Sequence, residues 1–167
     1  KIITALEEEK WIDDKSYVET YVRQNGLNGD KGPALIRQKL ITKGISKSVI
    51  DSCLVEVDFS NLIEKVAEKM LRKYQDKLPI RALQDKIVQG LINKGFTYDL
   101  ARKTVGQLDI SADDNMEADL ISKELEKLYR KYSRKYDGYE LKQRLIHALA
   151  RKGFEFDQIQ AVLRNYL

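Results

Sequence analysis

A short helix-stopping stretch occurs three times in this chain, and its recurrence limits the folds available to it. Leu40-Ile41-Thr42-Lys43-Gly44-Ile45 returns as Leu91-Ile92-Asn93-Lys94-Gly95-Phe96 and as Leu149-Ala150-Arg151-Lys152-Gly153-Phe154. Each copy predicts the end of one helix and the turn into the next. Gly44, Gly95 and Gly153 suit the left-handed position just past a last helical turn, where a residue without Cβ escapes the steric penalty. Leu40 and Ile45 then occupy the two positions whose apolar contact closes a Schellman-type cap, as do Leu91 with Phe96 and Leu149 with Phe154. A lysine precedes each glycine, at the helix end that the dipole makes favourable for a cation.

The spacing turns this device into an architecture. Gly95 follows Gly44 by 51 residues and Gly153 follows Gly95 by 58, periods expected of helical repeats. Six residues beyond each glycine stand Ile50, Ala101 and Ile159, and ten beyond stand Leu54, Val105 and Leu163. Before the second and third glycines, Leu83, Ile87 and Leu91 match Leu141, Leu145 and Leu149. The predicted class is all-α. Tandem three-helix repeats would form an elongated, curved solenoid of undetermined hand, each unit burying part of its apolar face on its neighbour. The expected divisions are the end of a preceding helix or repeat at 1–10, then repeats at 11–57, 58–109 and 110–167. Only two prolines and nine glycines interrupt the 167 residues, which favours helix over strand.

Taken in order, residues 1–10 read as the last turns of a helix, as though the chain were a fragment beginning inside one. Ile12-Asp13-Asp14 predicts a fresh start, with Asp13 as N-cap. That helix should run from Asp14 to Gln24 and break at Asn25-Gly26. Gly32-Pro33 opens the next, proline suiting the first helical position. Ser46 is placed to cap the third. In the second repeat Asp58 or Ser60, Pro79 and Thr97 mark the three starts. A short acidic linker is expected over 109–115, and Asp137-Gly138 separates the last repeat's first two helices. Glu155-Phe156-Asp157 replaces the Ser or Thr cap before the final helix.

No catalytic constellation is visible. The one histidine, His147, and the one cysteine, Cys53, hardly supply a metal site or a nucleophilic triad. They read as a plain helix residue and a small core residue. A single cysteine excludes an internal disulfide and favours a reducing cytoplasmic setting. There is no GxxxxGK[ST] loop and no GxGxxG turn, so nucleotide chemistry has no support and no cofactor is expected. Asp13-Asp14 and Asp113-Asp114 stand at predicted helix starts, where capping accounts for them without a metal. No apolar run is long enough to span a bilayer.

What is left is the surface. Lys31, Arg37, Lys39 and Lys43 belong to the middle helix of the first repeat or its approach. Arg81, Lys86 and Lys94 do so in the second, and Lys142, Arg144, Arg151 and Lys152 in the third. Aligned units could merge these into a basic stripe. Tyr129 to Tyr136 interleaves Arg130, Lys131 and Arg134 with tyrosines, a mixture suited to phosphate contact and base stacking. Against this, the net charge is only +4, and most of these cations have acidic neighbours within a turn. Ordinary solvation of helix faces is therefore the stronger reading on composition alone.

Three segments in order carry a family resemblance: Trp11-Ile12-Asp13-Asp14-Lys15-Ser16-Tyr17, then Gly32-Pro33-Ala34-Leu35-Ile36-Arg37-Gln38-Lys39-Leu40, then Lys43-Gly44-Ile45. Together they resemble the RecX family of recombination regulators, specifically through residues 11–54 and at the level of repeat pattern through 58–167. The resemblance implies tandem three-helix repeats and a non-enzymatic protein acting in recombination, DNA repair and the SOS response. It implies a partner, the RecA recombinase and its filament on single-stranded DNA, modulated and most often inhibited. It also implies sequence upstream of the Asp-Asp signature. The alternative is a monomeric helical module that binds DNA directly through a basic face.

Overall fold

The computed structural model describes residues 2–110 and 113–167. Among them are nine helices and no strand, in three successive triplets. The first comprises α1 (Ile2–Asn28), α2 (Pro33–Thr42) and α3 (Lys47–Leu54); the second α4 (Ser60–Tyr74), α5 (Ile80–Asn93) and α6 (Tyr98–Gln107); the third α7 (Asp114–Tyr132), α8 (Gly138–Arg151) and α9 (Phe156–Tyr166). The all-α, tandem three-helix class is thus as the periodicity required. Ser111 and Ala112 of the expected linker lie outside the described residues.

Two starts and stops differ from expectation. Asp13 is no N-cap, and Asn25-Gly26 is no break: α1 runs unbroken from Ile2 to Asn28. An interior aspartate costs about 0.7 kcal/mol and a glycine about 1 kcal/mol. Ending a helix and nucleating another, with no Gly or Pro available before Gly26, costs more. The helix stops one turn later, where the Gly29 N–H donates to the Asn25 carbonyl (2.8 Å).

All three glycine joints form as the sequence predicts. Gly44, Gly95 and Gly153 have φ of +87°, +96° and +100°. In the first copy the Ile45 N–H donates to the Leu40 carbonyl at 3.2 Å and the Gly44 N–H to the Ile41 carbonyl at 2.9 Å. The same pair recurs as Phe96 to Leu91 (3.1 Å) with Gly95 to Ile92 (2.9 Å), and as Phe154 to Leu149 (3.4 Å) with Gly153 to Ala150 (3.0 Å). Both apolar members of every joint are buried, as are Ile50, Ala101 and Ile159 six residues on.

Starts are less uniform. Thr97 accepts from the Leu100 N–H and Asp113 from the Asn115 N–H, and Asp58 accepts from the N–H of Ser60 at the first residue of α4. Ser46 holds the N-cap position of α3, but its hydroxyl lies against that of Ser48 instead of capping. Glu155 likewise makes no side-chain cap.

The chain divides into two compact units, Lys1–Met70 with Ile87–Leu108, and Leu71–Lys86 with Asp109–Leu167. In the first, α1, α2 and α3 pack around Val18, Ile36, Leu40, Val49 and Ile50. In the second, α7, α8 and α9 pack around Ile121, Leu125, Leu145, Leu149 and Ile159. Helices α4 and α5 have residues in both.

The joints are also docking points. In the first unit the start of α2 sits on the end of α5: the Gly32 N–H donates to the Lys94 carbonyl (2.6 Å) and the Ala34 N–H to that of Gly95 (3.1 Å). A Cβ on Gly32 would lie 2.7 Å from the Gly95 carbonyl carbon, so this contact is backbone on backbone. In the second unit the start of α5 sits on the end of α8, where a Cβ on Gly153 would lie 3.0 Å from the Ala82 nitrogen. Gly44 has open space around it.

Candidate interaction surface

The joint lysines, expected to face a partner, are all occupied within the chain. Lys43 donates to the Tyr17 hydroxyl at 2.9 Å and lies over the rings of Tyr17 and Tyr21. Lys94 pairs with Asp30 at 2.5 Å and Lys152 with Glu124 at 3.0 Å. These hydrogen bonds hold the carboxyls of Asp30 and Glu124 below their ordinary values.

The Asp30 shift gives a pH prediction. A carboxyl whose folded value is depressed contributes stability that is present above its unfolded value, near 3.9, and lost as pH falls through the folded one. Lys94→Met should therefore destabilise the protein at pH 7, modestly because both side chains are over a third exposed. The gap to the wild type should narrow below about pH 4. Urea midpoints of both proteins across that range check it; a constant gap would show that the ion pair is not its source.

The remaining cations separate into two groups. Arg37 is held by Asp51 on α3 (2.8 and 3.3 Å), Lys86 lies over Tyr74, Arg130 pairs with Glu126, Lys131 lies over Tyr132, and Arg144 pairs with Glu140. Lys31, Lys39, Arg81, Arg134, Lys142 and Arg151 have side chains without an ion pair among the described residues. The structure therefore divides the cations of α2 and its C-cap. Arg37 turns to α3, whereas Lys39 and Lys43 border a shallow depression with Leu35, Gln38 and Thr42.

In the second unit the tyrosine-rich end of α7 is partly structural. Tyr129, Tyr132 and Tyr136 pack against the core, and Tyr129 meets Tyr166 edge to face at 5.4 Å. The Arg144 guanidinium covers the Tyr136 ring at 3.8 Å. These three tyrosines are thus partly committed to packing, because alternation with cations on a helix puts some rings on its inner side. Tyr139 was not singled out from sequence, since it stands past the break in α8. It is 78% exposed and borders an open groove of about 410 Å³ with Tyr129, Ser133, Tyr136 and Lys142.

His147 is exposed and Cys53 buried. Among the described residues no group of His, Cys, Asp or Glu is arranged to hold a metal ion, and no helix is long and apolar enough to cross a membrane.

Comparison with known proteins adds the family context. The profile described as RecX, third three-helix domain, matches residues 56–105 and again 115–163, and the RecX second three-helix domain matches 13–54. The regulatory protein RecX of Streptococcus equi subsp. zooepidemicus is 55% identical over 165 residues, covering 99% of this chain and 64% of that protein. The regulatory protein RecX of Streptococcus pyogenes serotype M5 is 55% identical over 166 residues, with the same coverage. The chain therefore spans 64% of the length of these curated relatives. No solved structure matches it.

Proposed function

This chain belongs to the RecX family, and on that premise we propose that it is a non-enzymatic, cytoplasmic regulator of the RecA recombinase. It binds RecA and the RecA filament on single-stranded DNA, and it lowers ATP hydrolysis and strand exchange. The observation that carries this is the family match over all three helix triplets, joined to 55% identity with regulatory proteins named RecX. Repeats at 11–57, 58–109 and 110–167 serve as its modules. Repeating modules offer repeating contacts to a helical filament, and several weak contacts add through effective concentration. The exposed cations Lys39, Arg81, Arg134 and Arg151 supply charge for acidic protein surface or phosphate.

The test is a titration into RecA assembled on single-stranded DNA, following ATP hydrolysis. The expected result is a rate that falls with added protein and saturates. An unchanged rate with the full-length protein, once binding is saturated, would overturn the proposal. The second reading is a stand-alone DNA-binding module, favoured by the uncompensated cations near Tyr139. It predicts tight binding to naked DNA with steep salt dependence, and no specific effect on RecA.

A further inference from the structure

Net positive charge collects in two stretches: 31–50, with Lys31, Arg37, Lys39, Lys43 and Lys47 and no acidic residue, and 129–144, the one that is also rich in tyrosine. Between Tyr129 and Arg144 stand six basic residues, Arg130, Lys131, Arg134, Lys135, Lys142 and Arg144, and two acidic ones, Asp137 and Glu140. That excess of four equals the excess of the whole chain, 30 basic over 26 acidic. Ion pairing does not cancel the local excess, because among the described residues only Arg130 and Arg144 of this stretch have acidic partners. Lys131, Arg134, Lys135 and Lys142 form no ion pair among the described residues.

Within the same stretch Tyr129, Ser133, Tyr136, Tyr139 and Lys142 border an open groove of about 410 Å³ at the turn from α7 to α8. Its rings differ in availability. Tyr129 has its edge against Tyr166, and one face of Tyr136 is covered by Arg144. Tyr139 has no ring, cation or hydrogen-bond partner among the described residues and is 78% exposed. An exposed ring in a groove lined by the unpaired Lys142, with Arg134 and Lys135 in the adjoining turn, matches a ligand that is both planar and anionic. A protein partner with acidic side chains would use the charge but not the ring; a single-stranded nucleic acid uses both.

We propose that the groove at the α7–α8 turn is a single-stranded nucleic-acid subsite, with Tyr139 as the platform on which a base stacks and Arg134 and Lys142 contacting the flanking phosphates. The site deepens the reading of a protein that works on a single-strand filament, and it assigns direct strand contact to this unit. Its operation does not require RecA, so the two can fail separately.

The probes are oligothymidylate and an abasic strand of the same length, each binding the full chain without RecA. Base–aromatic stacking predicts that the wild type prefers oligothymidylate by on the order of tenfold. Tyr139→Ala should abolish that preference while leaving abasic binding alone, and Tyr139→Phe should keep it. Arg134→Gln with Lys142→Gln should weaken binding to both strands and reduce the slope of log affinity against log salt by about 1.4. Arg102→Gln with Lys103→Gln on α6 removes the same charge elsewhere and should change neither. Equal affinity of the wild type for both strands, or a preference that survives Tyr139→Ala, would overturn the base subsite. Absence of strand binding alongside intact inhibition of RecA would overturn it too, and would leave the regulatory function standing.

Discussion

Replacing Gly95 by alanine is expected to destabilise the fold by about 2–5 kcal/mol, against about 1–2 kcal/mol for the same change at Gly44. The two glycines share the same cap geometry and lie in the same compact unit, so their comparison isolates one difference. At both positions a positive φ penalises a side chain. At Gly44 nothing else stands in the way. At Gly95 the new Cβ would lie 2.5 Å from the Leu35 nitrogen and 2.8 Å from the Leu35 Cβ. The first of these atoms is backbone, in the first turn of α2, so relief requires the helix to shift. That shift would break the bonds from Gly32 to Lys94 and from Ala34 to Gly95. Gly153 should fall between them, since its nearest neighbours, the Ala82 nitrogen and Cβ, lie at 3.0 and 3.1 Å. Urea unfolding of the three variants measures the order. Similar losses at all three would mean that cap conformation alone sets the cost and that helix docking contributes nothing.

The same contrast explains what was legible in the sequence. Cap conformation is local, so Leu-x-x-Lys-Gly-apolar could be read directly, and the burial of Ile50, Ala101 and Ile159 followed from helical phase. Docking is not local. Gly32 reads as a helix start beside Pro33, and its φ of −79° needs no glycine. Only the approach of Gly95, 63 residues away, shows why a side chain is excluded there. Local signals also misled where their energies are small. Asp13 and Asn25-Gly26 resemble a cap and a break, yet about 1 kcal/mol per unfavourable residue does not end a helix that tertiary packing continues. The candidate surface was legible as composition only. Which lysines are free depends on carboxylates brought from elsewhere, as Asp30 is to Lys94 and Glu124 to Lys152. Tyr139 has no periodic signature, because an exposed ring differs from a core ring only by what packs over it.

Asn25 is where the misleading signal has the largest consequence, and Asn25→Ala is expected to cost about 2–4 kcal/mol. Its side chain is buried inside α1 and works as a backbone clamp. The amide nitrogen donates to the Lys31 carbonyl at 2.8 Å, and the amide oxygen accepts from the Lys31 N–H at 3.1 Å. Truncation leaves both Lys31 groups without their partner in a part-buried setting. Asn25→Asp should also destabilise, because a carboxylate can accept from the N–H but faces the carbonyl without a proton to donate. The clamp acts on more than Lys31. Asp30, beside it, receives the Lys94 ammonium, and Gly32, on its other side, donates to the Lys94 carbonyl. The segment from Gly29 to Gly32 is therefore held by α1 on one side and by the end of α5 on the other. Two restraints on so short a segment should couple, since losing either lets it move away from the second. A double-mutant cycle between Asn25→Ala and Lys94→Met should then give a combined loss smaller than the sum of the single losses, by at least about 0.5 kcal/mol. Strict additivity would mean that each restraint holds its own residue and that the docking of α2 on α5 does not depend on the asparagine.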